Sequence, residues 1–235
     1  EMDIRDPQAT IKLFKDSSYD AVMHFAAKIL VPESMEHPYE YFETNTQGTL
    51  NAINAAATNG VKNYILSSTA AVYGAPVHIP LQEDDPTKPV NPYGASKLLA
   101  EQLLRSYEIT HSLQWTALRY FNVAGAYDGV GTDYPFVSHI IPSFLEQMHT
   151  KKPIQINGNN YDTPDGTAIR DYTHVADVAR AHLLAADKMT DGTALNQPIN
   201  LGSRTGYSVK QIADTFNKVT GADLPIHYGP RRAGD

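Results

Sequence analysis

Short apolar runs alternate with amphipathic stretches from one end of this chain to the other, and that alternation leaves few folds open. YDAVMHFAA (19–27) reads as a buried strand and a turn, with VKNYILSS (61–68) and WTALRYF (115–121) as two more strands. Residues 38–59 carry apolar side chains at helical spacing up to Gly60, a natural helix stop. A second helix begins at Pro92, a good first-turn residue, and runs through LLAEQLLRSYEI. Further on, helices are expected near 138–149, 174–189 and 208–220, with strands near 153–156, 197–201 and 225–228. Strands joined through helices of this length require right-handed crossovers and a parallel sheet covered on both faces. The expected class is therefore α/β, a doubly wound parallel sheet with a smaller C-terminal α/β domain. The loop GAYDGVGTDYP (125–135) marks the change, so the expected domains are 1–122 and 123–235, partly interleaved.

Composition narrows the function. A net charge of −7 opposes binding to nucleic acid or to an anionic membrane, because neither polyanion attracts an acidic protein. The absence of cysteine excludes disulfides, zinc thiolates and cysteine nucleophiles, and no metal is expected. The first residues lack the order of a secretory signal, and the plain reading is a cytoplasmic protein.

In an open α/β sheet, ligands bind beyond the carboxyl ends of the strands. HFAAK (24–28), SSTAAVYG (67–74) and RYFNVAGA (119–126) reach that edge, and NPYGASK (91–97) starts a helix after a loop. Tyr93 and Lys97 stand four residues apart, so they share a helix face. A free phenol, with a pKa of about 10, is a poor base, but a nearby ammonium favours the phenolate. Such a phenolate can take a hydroxyl proton while hydride leaves the same carbon, with Thr69 or Ser68 holding that hydroxyl in line. Taken singly, each residue has a plainer reading. The Tyr–Lys spacing suits a solvated helix face, Ser67 to Thr69 a turn, His24 a strand-end histidine, and Arg170 with Asp171 an ion pair.

Taken together, HFAA-K, N-x-x-GT (45–49), SSTAAVYG, NPYGASK, RYFN-x-x-GA, TPDGTAIRDYTHVAD (163–177) and PRR-x-GD (230–235) resemble the UDP-glucose 4-epimerases. These belong to the extended short-chain dehydrogenase/reductases, whose sheet is Rossmann-like, and the resemblance covers essentially the whole chain. It implies NAD as cofactor, an NAD-binding domain at 1–122 and a mainly substrate-binding domain at 123–235. It implies Tyr93 as catalytic base, Lys97 as its partner on the nicotinamide ribose, and Thr69 as the hydroxyl that assists proton transfer. Asp3 and Ile4 match residues beside the adenine. Phe25, Ala26, Lys28, Asn45 and Phe121 match residues at the cofactor. Asn122, His139, Gln155, Asn157, Arg170, Arg231 and Asp235 match residues that contact the UDP-sugar, alongside Thr69 and Tyr93. Guanidinium forks at Arg170 and Arg231 suit a diphosphate.

The implied activity is interconversion of UDP-galactose and UDP-glucose by transient oxidation at carbon 4 of the sugar. Another UDP-sugar 4-epimerase, for N-acetylhexosamines or glucuronate, stays open, as does a non-catalytic nucleotide-sugar sensor. A 4,6-dehydratase needs an Asp-Glu pair after the threonine, where this chain has Ala70 and Ala71. His139 stands where some members have asparagine, and both can hydrogen-bond a ligand. The family commonly dimerises through two helices, here expected at 38–59 and 92–109. No Gly-x-x-Gly-x-x-Gly loop follows a strand, and the chain opens with EMDIRDP, so an internal segment of a longer enzyme is expected.

Overall fold

The structure, a computed structural model, describes residues 2–15, 18–131 and 139–231. In chain order the first elements are α1 (Pro7–Lys15), β1 (Ala21–His24), α2 (Val31–Glu36), α3 (Pro38–Tyr41), a π-helical segment Phe42–Gly48, and α4 (Thr49–Thr58). Then come β2 (Asn63–Thr69), a 3₁₀ turn Ala70–Val72, α5 (Pro92–His111), β3 (Gln114–Tyr120) and β4 (Asn122–Ala124). The remainder is α6 (Ile140–His149), β5 (Ile154–Asn157), β6 (Ile169–His174), α7 (Val175–Thr190), β7 (Gln197–Leu201), β8 (Gly206–Ser208), α8 (Val209–Thr220) and β9 (Ile226–Gly229).

Two compact units result: one from the stretch up to Tyr120 with Val178–Leu201, the other from Phe121–Asp177 with the stretch from Gly202. The first holds a parallel sheet in the order β1-β2-β3-β7. Side chains alternate across it, as the pleat requires. Tyr64, Leu66, Trp115 and Ala117 face a core shared with Phe14, Ile53, Ala56 and Leu104, which α1, α4 and α5 supply. Ile65 and Leu118 face the opposite side, where Ala185 and Met189 of α7 cover them. The expected doubly wound sheet is thus present, with helices on both faces.

Three local features differ from expectation. Helix α1 went unread: Asp6 caps it through Gln8 N–H (2.9 Å) and Ala9 N–H (3.1 Å), and Thr10 and Phe14 are buried. The expected single helix at 38–59 is interrupted by the π-helical turn, centred on buried Asn45. In the second unit β4-β6-β8 form one sheet, with β6 and β8 antiparallel, and β5-β9 form another. Its core gathers Phe144, Ile154, Ile156, Ala213 and Phe216. Helix α8 is closed at its start by a Ser208–Gln211 capping box and at its end by Gly221 at φ 68°.

Candidate active site

Helix α5 begins with three residues that set its position. Asn91 Oδ1 accepts the Gly94 N–H at 2.8 Å, and Pro92 supplies the first turn. At Gly94 a Cβ would stand 2.5 Å from the Ala71 carbonyl oxygen, so only glycine lets the helix seat on the 3₁₀ turn after β2. That seat brings the Tyr93 end of α5 to the turn that Thr69 caps. Gly94→Ala is expected to lift the helix start and lower kcat about tenfold or more, while the overall fold persists. Steady-state kinetics beside a thermal melt test this; unchanged kcat would show that the seat does not matter.

Lys97, one turn on, is only 3 % exposed and donates from Nζ to the Ser67 carbonyl at 2.9 Å. Burial lowers its pKa to about 8. Thr69, last residue of β2, accepts the Ala71 N–H at Oγ1 (3.1 Å), which leaves its own hydroxyl proton to donate elsewhere. Ser68 is drawn the other way: it donates to Glu101 at 2.5 Å, so of the two hydroxyls considered above, only Thr69 remains for a ligand. Tyr93 packs edge-on against Tyr41, with ring centroids 6.4 Å apart.

His24 closes β1 as a buried, neutral residue, accepting from Tyr64 at Nδ1 and donating from Nε2 to the Ala26 carbonyl (2.9 Å). Its pKa falls to about 4, first through burial and then through the Lys97 charge. Phe25 follows, 56 % exposed as a residue. Asn45 clamps the backbone of Lys28, accepting its N–H (2.8 Å) and donating to its carbonyl (2.9 Å), and also donates to Ser96 (3.0 Å). The π-helical turn aims that amide; such turns are frequent at functional sites. Lys28 itself pairs with Glu40 and Glu33, which raise its pKa. Asp3 is held by the Arg5 guanidinium (2.6 Å), whose hydrogen bond lowers its pKa to about 2, and Ile4 packs against Gly48.

In the second unit, Asn122 on β4 donates to the Asp171 carbonyl (3.1 Å), and Phe121 packs beside Gly202. Arg170 on β6 donates to the Ile169 carbonyl (2.9 Å), while the Asp171 carboxylate accepts from Ser203 and Arg204. Gln155 and Asn157 lie on β5, paired with β9, after which Arg231 stacks over Tyr161 at 3.9 Å and donates to Asn160 (2.8 Å). His139 stands at the N-cap position of α6, where its carbonyl accepts the Ser143 N–H (3.0 Å). Asp235 lies outside the described residues.

Residues 1–202 match the model of the NAD dependent epimerase/dehydratase family. The chain belongs to that family. Within it, the chain is 44% identical to the UDP-glucose 4-epimerase of Lacticaseibacillus casei, over 99% of this chain and 71% of the relative. It is 43% identical to that of Azospirillum brasilense, over 100% of this chain and 68% of the relative. The UDP-glucose 4-epimerase of Brucella ovis, solved in complex with NAD, superposes with a TM-score of 0.93 at 37% identity, covering 100% of this chain and 73% of that one. Among the epimerase/dehydratase enzymes this one therefore falls with the UDP-glucose 4-epimerases, which are NAD-dependent isomerases.

The residues present fit the nicotinamide end of a dinucleotide: an exposed apolar ring at Phe25 and a buried ammonium at Lys97. Sequence reasoning missed two residues that brace α5 beside this candidate site. Glu101 continues the Tyr93–Lys97 stripe at i+8, buried beside Arg119, and Ser96 donates to the Tyr93 carbonyl (2.8 Å). The repeat of four along α5 was the available signal for Glu101; Ser96 is part of the motif itself.

Proposed function

We propose that this enzyme interconverts UDP-galactose and UDP-glucose, with Tyr93 taking the proton from the 4-hydroxyl and returning it to the opposite face. The observation that supports the reading is the seating of α5: Gly94 sets the first turn of the helix against the 3₁₀ turn after β2, which Thr69 caps, with Lys97 buried one turn behind. Lys97 favours the phenolate, and the Thr69 hydroxyl steers the substrate oxygen. Bound NAD would supply the hydride acceptor and donor for carbon 4. Phe25, Ala26, Lys28, Asn45, Tyr93, Lys97 and Phe121 would hold it, with Asp3 and Ile4 toward the adenine. Asn122, His139, Gln155, Asn157, Arg170, Arg231 and Asp235 would hold the UDP-sugar. The same reading assigns the dinucleotide to 1–122 and the sugar nucleotide mainly to 123–235.

A cytoplasmic homodimer completes the reading, resting on the acidic, cysteine-free composition and on Leu99 and Ile109, which α5 leaves exposed. No helix among the described residues is long and apolar enough to cross a membrane. The deciding assay is conversion of UDP-galactose to UDP-glucose by the longest native form of the chain. Conversion of UDP-N-acetylgalactosamine or UDP-galacturonate alone would move the substrate, and binding without turnover would indicate a sensor.

The buried lysine makes this reading pH-sensitive. Lys97 loses its proton as pH rises through about 8, so its pull on the phenol fades and kcat is expected to fall above that pH. Stability moves the other way. The unfolded chain keeps that proton up to the ordinary lysine range, so the cost of burying the charge is full below about 8 and is relieved as pH rises from about 8 to about 10.5. Its burial costs about 3 kcal/mol at neutral pH. Lys97→Met removes that cost but strands the Ser67 carbonyl, for about 1 kcal/mol. The variant is expected to be inactive yet more stable by about 2 kcal/mol in urea unfolding at pH 7. A less stable variant would contradict the charge-burial argument.

A further inference from the structure

One buried imidazole in the first unit has no part in the reaction described above, yet both of its nitrogens are committed. His182, on α7, is 2 % exposed. Its Nδ1 lies 2.8 Å from the Val178 carbonyl oxygen, which can only accept, so Nδ1 carries the ring proton. The lone pair is therefore on Nε2, and the Tyr120 hydroxyl donates to it at 2.7 Å. Burial lowers the pKa of His182 and raises that of Tyr120, which keeps the imidazole neutral and the phenol protonated, as this arrangement needs.

Two strand ends hang on this ring. Tyr120 is the last residue of β3, in register with Thr69 at the end of β2 and with Leu201 at the end of β7. Phe25, just past β1, lays its ring against His182 with centroids 4.7 Å apart and planes inclined at 36°. Tyr120 meets the same imidazole edge-on at 5.6 Å. Phe25 is more than half exposed, so His182 is what orients an apolar ring at the carboxyl edge of the sheet.

We propose that His182 is a positioning residue for the dinucleotide: bonded to Tyr120 and packed against Phe25, it holds the wall at the ends of β1 and β3 against which the cofactor lies. The proposal rests on the assignment of Phe25 to the cofactor under the proposed function. It does not require that the sugar be galactose.

The test is calorimetric titration of the longest native form, freed of cofactor, with NAD and separately with UDP, for wild type, Tyr120→Phe, His182→Leu, His182→Gln and the Tyr120→Phe/His182→Leu double variant. Tyr120→Phe and His182→Leu should each weaken NAD binding about tenfold and leave UDP affinity within about twofold. The double variant should be no weaker than His182→Leu, because both changes cut the same link. Glutamine, whose amide can accept from Tyr120 and donate to the Val178 carbonyl, should recover most of the NAD affinity. NAD affinity within about twofold of wild type in both single variants would overturn the proposal, as would equal losses for NAD and UDP, which mean general loosening. Should His182→Leu not fold, Tyr120→Phe against His182→Gln still decides. Turnover of UDP-galactose by wild type, measured alongside, judges the epimerase reading separately, since NAD binding does not depend on it.

Discussion

Tyr93→Phe is expected to lower kcat by about three orders of magnitude and to leave the fold and the KM for UDP-galactose nearly unchanged. The size follows from what a positioned base contributes, about 10²- to 10⁴-fold, when the group is removed outright and no neighbour replaces it. Neither Lys97 nor His24 is suited to replacing it. Lys97 is buried and holds its ammonium on the Ser67 carbonyl, and His24 is neutral with both nitrogens bonded. Stability is spared because phenylalanine keeps the edge-on ring packing against Tyr41, and the bond from Ser96 goes to the Tyr93 backbone. The measurement is kcat and KM for UDP-galactose, with a thermal melt as control. Retention of more than about a tenth of wild-type kcat would remove Tyr93 from the role of base.

How much of this was legible beforehand depends on how local each cause is. The strands of the first unit were readable from short apolar runs such as Tyr64–Leu66 in β2, a strand buried on both faces. The start of α5 was readable because Pro92 is a first-turn residue by chemistry alone. Tyr93, Lys97 and Thr69 could be placed at one edge of the sheet by strand order, while what seats the start of α5 there was not readable. That seat is a near-contact between Gly94 and a carbonyl twenty-three residues earlier. The π-helical turn was invisible for a similar reason, since Asn45 is aimed by bonds to the Lys28 backbone and to Ser96, neither of them local. Helix α1 is short and mostly exposed, so its stripe shrinks to Thr10 and Phe14. Strand β8 spans three residues and pairs antiparallel with β6, a pattern too brief to show a period.

Glu101→Ala is the costliest stability change expected in the first unit. Arg119 on β3 binds Glu101 on α5 through two parallel bonds, Nη2 to Oε2 at 2.7 Å and Nε to Oε1 at 3.0 Å, with both side chains at most 4 % exposed. Removing the carboxylate leaves a guanidinium buried with only the Tyr73 hydroxyl (2.7 Å) and the Glu83 carbonyl (3.1 Å) as hydrogen-bond partners. Breaking such a pair costs about 3–5 kcal/mol, which lowers Tm by about 10 °C in a chain of this size. The Glu101→Leu/Arg119→Met double variant, with no orphaned charge, should recover much of that loss. If Glu101→Ala alone melts within a few degrees of wild type, the pair is not a lock on α5. The expectation reaches the chemistry as well. Tyr93, Lys97 and Glu101 occupy one stripe of α5, and Glu101 also takes the Ser68 hydroxyl next to Thr69. An ion pair that contributes little net stability compared with an apolar pair can still fix one helix against two strand ends. Here those strand ends carry Thr69 and Tyr120, so Glu101→Leu/Arg119→Met is expected to fold well and turn over more slowly than wild type.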